Sequence, residues 1–199
     1  MTSLTQKIQV SIEENHFSAF FALLSYGFKI DVEIGCSLFD VLVRQIGINE
    51  SFLNEKVQTV FLNGKVVDDF SVEIVSDDSV IALSAAMPGL VGAVFRKGGI
   101  LSSMRSEHTS SMESVVIKKL KRQVTLKLFN HIASGLGGYF FKKGICVKGA
   151  HFIRYVKSKQ SLLKSACRQL IIDGKQYEIG DLLSLLQPEA DIVLTVTPV

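Results

Sequence analysis

Apolar and polar residues alternate with a period of two in three places along the chain. Ile8, Val10 and Ile12 enclose Gln9 and Ser11. Ile30, Val32 and Ile34 enclose Asp31 and Glu33. Val124, Leu126 and Leu128 form the third run. Side chains of a strand point to opposite faces in turn, so each run predicts a half-buried strand. The continuous run Val80-Ile81-Ala82-Leu83 instead predicts a strand at a sheet centre. A helical stripe, Leu38, Val41, Leu42 and Ile46, lies between Ser37, an N-cap with Asp40 three residues on, and the stop signal Gly47. Asn63-Gly64 separates a strand at Thr59 to Leu62 from a return strand at Lys65 to Val67, a strong hairpin signal. Phe17 to Phe28 is dense in Phe, Ala and Leu, and its periodicity leaves a buried helix and an apolar loop both open.

The second half of the chain repeats this order. Val124, Leu126 and Leu128 correspond to Ile8, Val10 and Ile12. Lys148-Gly149-Ala150-His151-Phe152 corresponds to Ile34-Gly35-Cys36-Ser37-Leu38. Leu170-Ile171-Ile172-Asp173-Gly174-Lys175 corresponds to Val60-Phe61-Leu62-Asn63-Gly64-Lys65, and Ile192 to Leu194 to Val80 to Ala82. A duplication follows as the expectation, since order and spacing are shared. It predicts an α+β fold of two tandem units at 1–86 and 123–199, joined by an apolar connector containing Gly and Ser at 87–122. Ser134-Gly135-Leu136-Gly137-Gly138 reads as a flexible loop inside the second unit.

The first unit resembles a known family over roughly 29–92. The residues concerned are Val60-Phe61-Leu62-Asn63-Gly64-Lys65-Val66-Val67-Asp68-Asp69, then Ser76 to Leu83, then Ala86-Met87-Pro88-Gly89-Leu90-Val91-Gly92-Ala93. They are similar to the C-terminal half of the ubiquitin-like sulfur carriers, the molybdopterin synthase small subunit and the thiamine-pathway carrier. The resemblance implies the ubiquitin-like β-grasp fold, a mixed sheet packed on one main helix in each unit. In that family a terminal Gly-Gly carries the chemistry through its free carboxylate. Here Gly92-Ala93 stands in its place and more than a hundred residues follow. The carrier-tail-like residues are therefore Pro88, Gly89, Gly92, Gly98 and Gly99, usable only after cleavage at Gly92 or Gly99.

Composition adds a solubility argument. Of 199 residues 47% are hydrophobic and 21% charged, with Gly 15, Pro 3 and no Trp, and the mean hydropathy is +0.31. Such a chain buries a core rather than staying disordered. The longest uncharged run, Ser79 to Phe95, is shorter than a membrane span and holds Pro88, Gly89 and Gly92, so no membrane span is expected. The N-terminus lacks the pattern of a secretory signal, which predicts a cytoplasmic protein whose Cys36, Cys146 and Cys167 are reduced thiols.

The net charge of +3 is unevenly divided. Residues 1–99 carry 7 Lys/Arg against 12 Asp/Glu, and residues 100–199 carry 15 against 7, so the halves stand at −5 and +8. The candidates for a basic partner-binding surface are Lys142, Lys143, Lys148, Arg154, Lys157 and Lys164. Phe140, Phe141 and Tyr155 are the aromatic residues a nucleic acid would stack on. No nucleotide loop, zinc spacing or nucleophile elbow is present, so no catalytic residue, metal or cofactor is expected. The carboxylate pairs Asp68-Asp69 and Asp77-Asp78 fall in predicted turns. The expected function is a non-catalytic protein-interaction or scaffold protein whose partner is another protein or a second copy. The alternatives are a cleaved sulfur carrier and nucleic-acid binding by the basic unit.

Overall fold

Residues 4–71, 74–85 and 120–199 are described in the computed structural model of this chain. The connector predicted at 87–122 lies outside them except for its last three residues, and Pro88, Gly89, Gly92, Gly98 and Gly99 lie wholly outside. Among the described residues no helix is long and apolar enough to cross a membrane. The protein is mixed α+β, with parallel and antiparallel strand pairs. Contacts divide it into two compact units, and these are not the sequential halves expected from 1–86 and 123–199. One unit comprises 1–29 and 133–199, the other 30–132. The chain passes between them at Lys29/Ile30 and again at Ile132/Ala133.

In the discontinuous unit β1 (Thr5–Ile12) is followed by a 3-10 helix, Glu14–Ser25. The first two residues of β2 (Phe28–Ile34) also belong here. The later part supplies α2 (Asn130–Lys143, from Ala133 onward), β7 (Ile145–Lys148), α3 (Gly149–Ser158), α4 (Gln160–Ala166), β8 (Cys167–Ile172), β9 (Lys175–Tyr177), the single turn α5 (Leu182–Leu185) and β10 (Asp191–Pro198). Its strand order is β7-β10-β1-β8-β9. β1 lies parallel to β10 from Thr5↔Asp191 to Ile12↔Pro198 and antiparallel to β8 through Val10↔Leu170. Alternation in β1 buries Ile8, Val10 and Ile12, as the sequence predicts.

The Phe17 to Phe28 region is core. Phe17, Phe20 and Leu23 recur every third residue, which suits the three-residue turn of a 3-10 helix and aligns them in one stripe. Phe20, Leu23 and Leu24 are fully buried. Phe141 meets Phe20 edge-on at 5.9 Å between ring centres, and Phe28 meets Phe140 at 5.0 Å. The Gly-rich stretch Ser134 to Gly138, expected as a flexible loop, is instead inside α2. The reason is steric: a Cβ on Gly137 would lie 2.5 Å from the Phe21 ring. The glycine costs helix propensity but admits an aromatic ring against the helix backbone.

In the continuous unit the rest of β2 leads to Ser37, whose Oγ accepts from the Asp40 amide at 3.1 Å. The predicted cap is therefore in place, and Leu38, Val41, Leu42 and Ile46 are buried. The helix widens to a π-helical turn at Asp40–Gln45, and Gly47 ends it with φ of 86°. α1 (Glu50–Lys56), capped by Asn49, has no counterpart in the sequence reading. β3 (Thr59–Leu62), β4 (Lys65–Val66), β5 (Val80–Ser84) and β6 (Leu120–Leu128) complete the order β4-β3-β5-β6-β2. Asn63 and Gly64 have φ of 52° and 83°, and Asp173 and Gly174 in the other unit have 49° and 81°. Both predicted hairpins thus use the same primed turn.

Candidate functional site

Strand alternation places Val60, Leu62, Ile81, Leu83, Leu126 and Leu128 in the core of the continuous unit. The intervening residues face the opposite side of the sheet. Register aligns three of them across adjacent strands: Phe61↔Ala82 between β3 and β5, then Ala82↔Lys127 between β5 and β6. A groove of about 390 Å³ lies over this row. Its floor is the small side chain of Ala82 with Gly64 at one end, and its walls include Phe61, Val80 and Phe129. At the far end Asn130 Nδ2 donates to Ser84 Oγ at 3.3 Å. Lys127 is the one ionisable residue among the described lining residues. The arrangement presents an apolar slot with one ammonium beside it and amide and hydroxyl groups at its end, which suits binding rather than chemistry.

A larger hollow of about 810 Å³ lies beside Asp31, Glu33, Lys121, Arg122 and Gln123. Many of its polar groups are already bonded within the unit. Gln123 Nε2 donates to Asp31 at 3.0 Å, and Arg122 Nε pairs with Asp77 at 3.2 Å. The Gln45 amide accepts from the Glu33 amide at 2.7 Å and donates to the Glu33 carbonyl at 3.1 Å. A ligand there would have to replace bonds already made.

The six basic candidates all fall in the discontinuous unit, and several are engaged locally. Lys142 and Lys143 occupy the last turn of α2, Lys157 that of α3 and Lys164 that of α4. Cations there complement the helix dipole. Lys143 also lies 5.7 Å from the Tyr139 ring centre, and Arg154 lies 6.0 Å from that of Tyr26. Lys148 Nζ pairs with Asp191 at 2.7 Å, and Lys29 pairs with the other oxygen of Asp191 at 3.2 Å. The bond to Asp191 holds the Lys148 ammonium above the ordinary lysine range. The stacking residues expected for nucleic acid are not at the surface. Phe140, Phe141 and Tyr155 are 3%, 0% and 1% exposed. Apolar runs of this kind fill cores: Phe140 and Phe141 belong to the aromatic packing described above, and Tyr155 joins it against Phe20 at 5.3 Å.

The charge division also changes when counted by compact unit. The discontinuous unit carries 11 Lys/Arg against 7 Asp/Glu, net +4, and the continuous unit 11 against 12, net −1. β6 brings Lys121, Arg122 and Lys127 into the unit that holds most of the acidic residues.

Cys36, Cys146 and Cys167 are not joined in disulfides; Cys36 is buried, and Cys146 and Cys167 are half-buried. Burial pushes the Cys167 thiol up, away from thiolate character. Burial likewise drives the Tyr155 phenol well above its ordinary range, and its hydroxyl has no bonding partner among the described residues. Among the described residues no cluster of three His, Cys, Asp or Glu could hold a metal ion. The row Phe61–Ala82–Lys127 was not singled out by sequence reasoning. Its signal is Lys127 between Leu126 and Leu128, an outward position, but only register reveals its neighbours.

No family model, curated protein or solved structure matches this chain.

Proposed function

We propose that this chain is a non-catalytic protein-interaction module built on two β-grasp-like units, and that a partner protein docks on the sheet face of the continuous unit that carries Phe61, Ala82 and Lys127. The observation that carries this reading is the cross-strand row Phe61–Ala82–Lys127 with its apolar groove. A concave, largely apolar groove with a few polar groups at its edge is the usual form of a binding site. The two primed Asn-Gly and Asp-Gly hairpins, one in each unit, support the β-grasp part. The partner segment is apolar along its length with a carboxylate opposite Lys127, which has no acidic side chain within ion-pair distance among the described residues.

A photo-crosslinking amino acid in place of Phe61 tests the reading in the native host. The expected result is a discrete protein adduct, absent when the same probe replaces Gln9 on the other unit's sheet and lost on Ala82→Arg. A chain that yields no adduct at 61, or equal adducts at 61 and 9, removes the proposal.

A further inference from the structure

The slot between β8 and β10 is a strand-binding site, and its occupant comes from the far end of the chain. β1 fills it with pairing on both sides: eight parallel register pairs to β10, and antiparallel pairs to β8 through Ile8↔Ile172 and Val10↔Leu170. Side chains then fix the register. Lys7 N donates to Asp173 Oδ1 at 2.8 Å, and Asp173 N returns a bond to Lys7 O at 2.8 Å. Gln6 Nε2 donates to Leu185 O, and Gln6 Oε1 accepts from Gln187 N. Ile8 and Ile12 are 0% exposed and Val10 2%. The occupant is thus defined chemically: an extended segment with aliphatic residues at alternate positions and Gln at its entry.

Segments on either side of residues 86–119 are both divided. Residues 4–29 belong with the unit formed by 133–199, whereas 30–85 belong with 120–132. β6 lies beside β5 in parallel from Val80↔Thr125 to Leu83↔Leu128, with Val124, Leu126 and Leu128 buried. Each half of the chain therefore gives an interior strand to the unit that the other half mainly builds.

We infer that cutting the chain anywhere within 86–119 does not release a free N-terminal domain: the two fragments stay together as a complex, each completing the other's sheet by strand complementation. The consequence holds whether or not the interaction reading is right, because it rests on backbone pairing between strands and not on what the groove binds. A tail ending at Gly92 or Gly99 would remain attached to residues 133–199 through β1 and the 3-10 helix.

The test uses the full chain with a protease recognition sequence inserted between Gly98 and Gly99 and cut to completion, as read by intact mass. The expected outcome is one peak on size exclusion at the volume of the uncut protein, containing both fragments in equal amounts and resolving into two only in denaturant. Two peaks without denaturant overturn the inference. In the cut protein, exchange of an isotope-labelled N-terminal fragment into the unlabelled complex reads the slot directly. Val10→Ala speeds this exchange by about tenfold, the change expected for ~1.4 kcal/mol; an unchanged rate also overturns it. The crosslink at position 61 reads only the groove, so its outcome and that of these two measurements are independent.

Discussion

The strands of the two units carry equivalent rows on their outward faces, and the rows differ in kind. In the continuous unit the row is Phe61, Ala82 and Lys127. In the discontinuous unit the central position is Gln9, flanked by Ile171 on β8 and Thr195 on β10. One face offers an apolar slot and the other a polar centre. The cores differ in the reverse sense: Phe20, Phe28, Phe141, Phe152 and Tyr155 fill the discontinuous unit, while Leu38, Leu42 and Leu53 dominate the other. Most of the buried aromatic side chains thus lie in the unit whose outer row has a polar centre, and a Phe lines the outer groove of the unit whose core is mainly aliphatic. Similar strand orders can carry different surfaces because the inward and outward positions of a strand are chosen independently.

Substitutions can break this comparison. The largest effect is expected at Gly149, where a Cβ would lie 2.1 Å from the Gln187 carbonyl oxygen and 3.0 Å from that of Pro188. Because these are backbone atoms, Gly149→Ala should cost about 3 kcal/mol or more in denaturant unfolding. Phe141→Ala opens the aromatic cluster and should cost ~3–5 kcal/mol; a cost below that of Leu42→Ala would show that the aromatic core is no better packed than the aliphatic one. Gly64→Ala, at φ of 83° with nothing within 4 Å, strains only the backbone and should cost about 1 kcal/mol. Unfolding midpoints at constant slope separate these three.

Tyr155→Phe removes a buried hydroxyl that has no bonding partner among the described residues. The prediction is unchanged stability or a gain of up to about 1 kcal/mol, and a clear loss would mean the hydroxyl is bonded in solution. The smallest effect concerns Lys148. Its pKa is raised in the folded protein, so its pairing with Asp191 stabilises fully below the ordinary lysine value of 10.5. That contribution is lost as pH rises through the raised value. Lys148→Gln should therefore narrow slightly the fall in melting temperature above that pH. With Lys148 half-exposed, solvent screening keeps the difference small.

Much of the local structure was legible because its causes are local. Ser37 with Asp40, Gly47, and the Asn63-Gly64 and Asp173-Gly174 turns depend on backbone conformations and bonds within a few residues. Gly137 and Gly138 misled for the same reason: glycine lowers helix propensity, and only the approach of the Phe21 ring explains a helix there. The groove was not legible, since Phe61, Ala82 and Lys127 are neighbours only through register. Phe140, Phe141 and Tyr155 were offered for stacking because a list of aromatic residues does not say which face is buried.

The amino-acid order by itself determined where most strands, the two hairpin turns and the helix after Ser37 form, and which side of each strand is buried. It did not determine which strand lies beside which. Alternation every second residue gives a strand an apolar face but no address, so Ile8-Val10-Ile12 and Val124-Leu126-Leu128 carry the same information. Tertiary structure alone placed the first beside β8 and β10 and the second beside β5. That choice turns a sequence charge split of −5 and +8 into units of +4 and −1, and sequential halves into units that share their strands. The physical reason is that backbone pairing and apolar burial reward any complementary strand, and the whole chain's packing decides between equivalent ones.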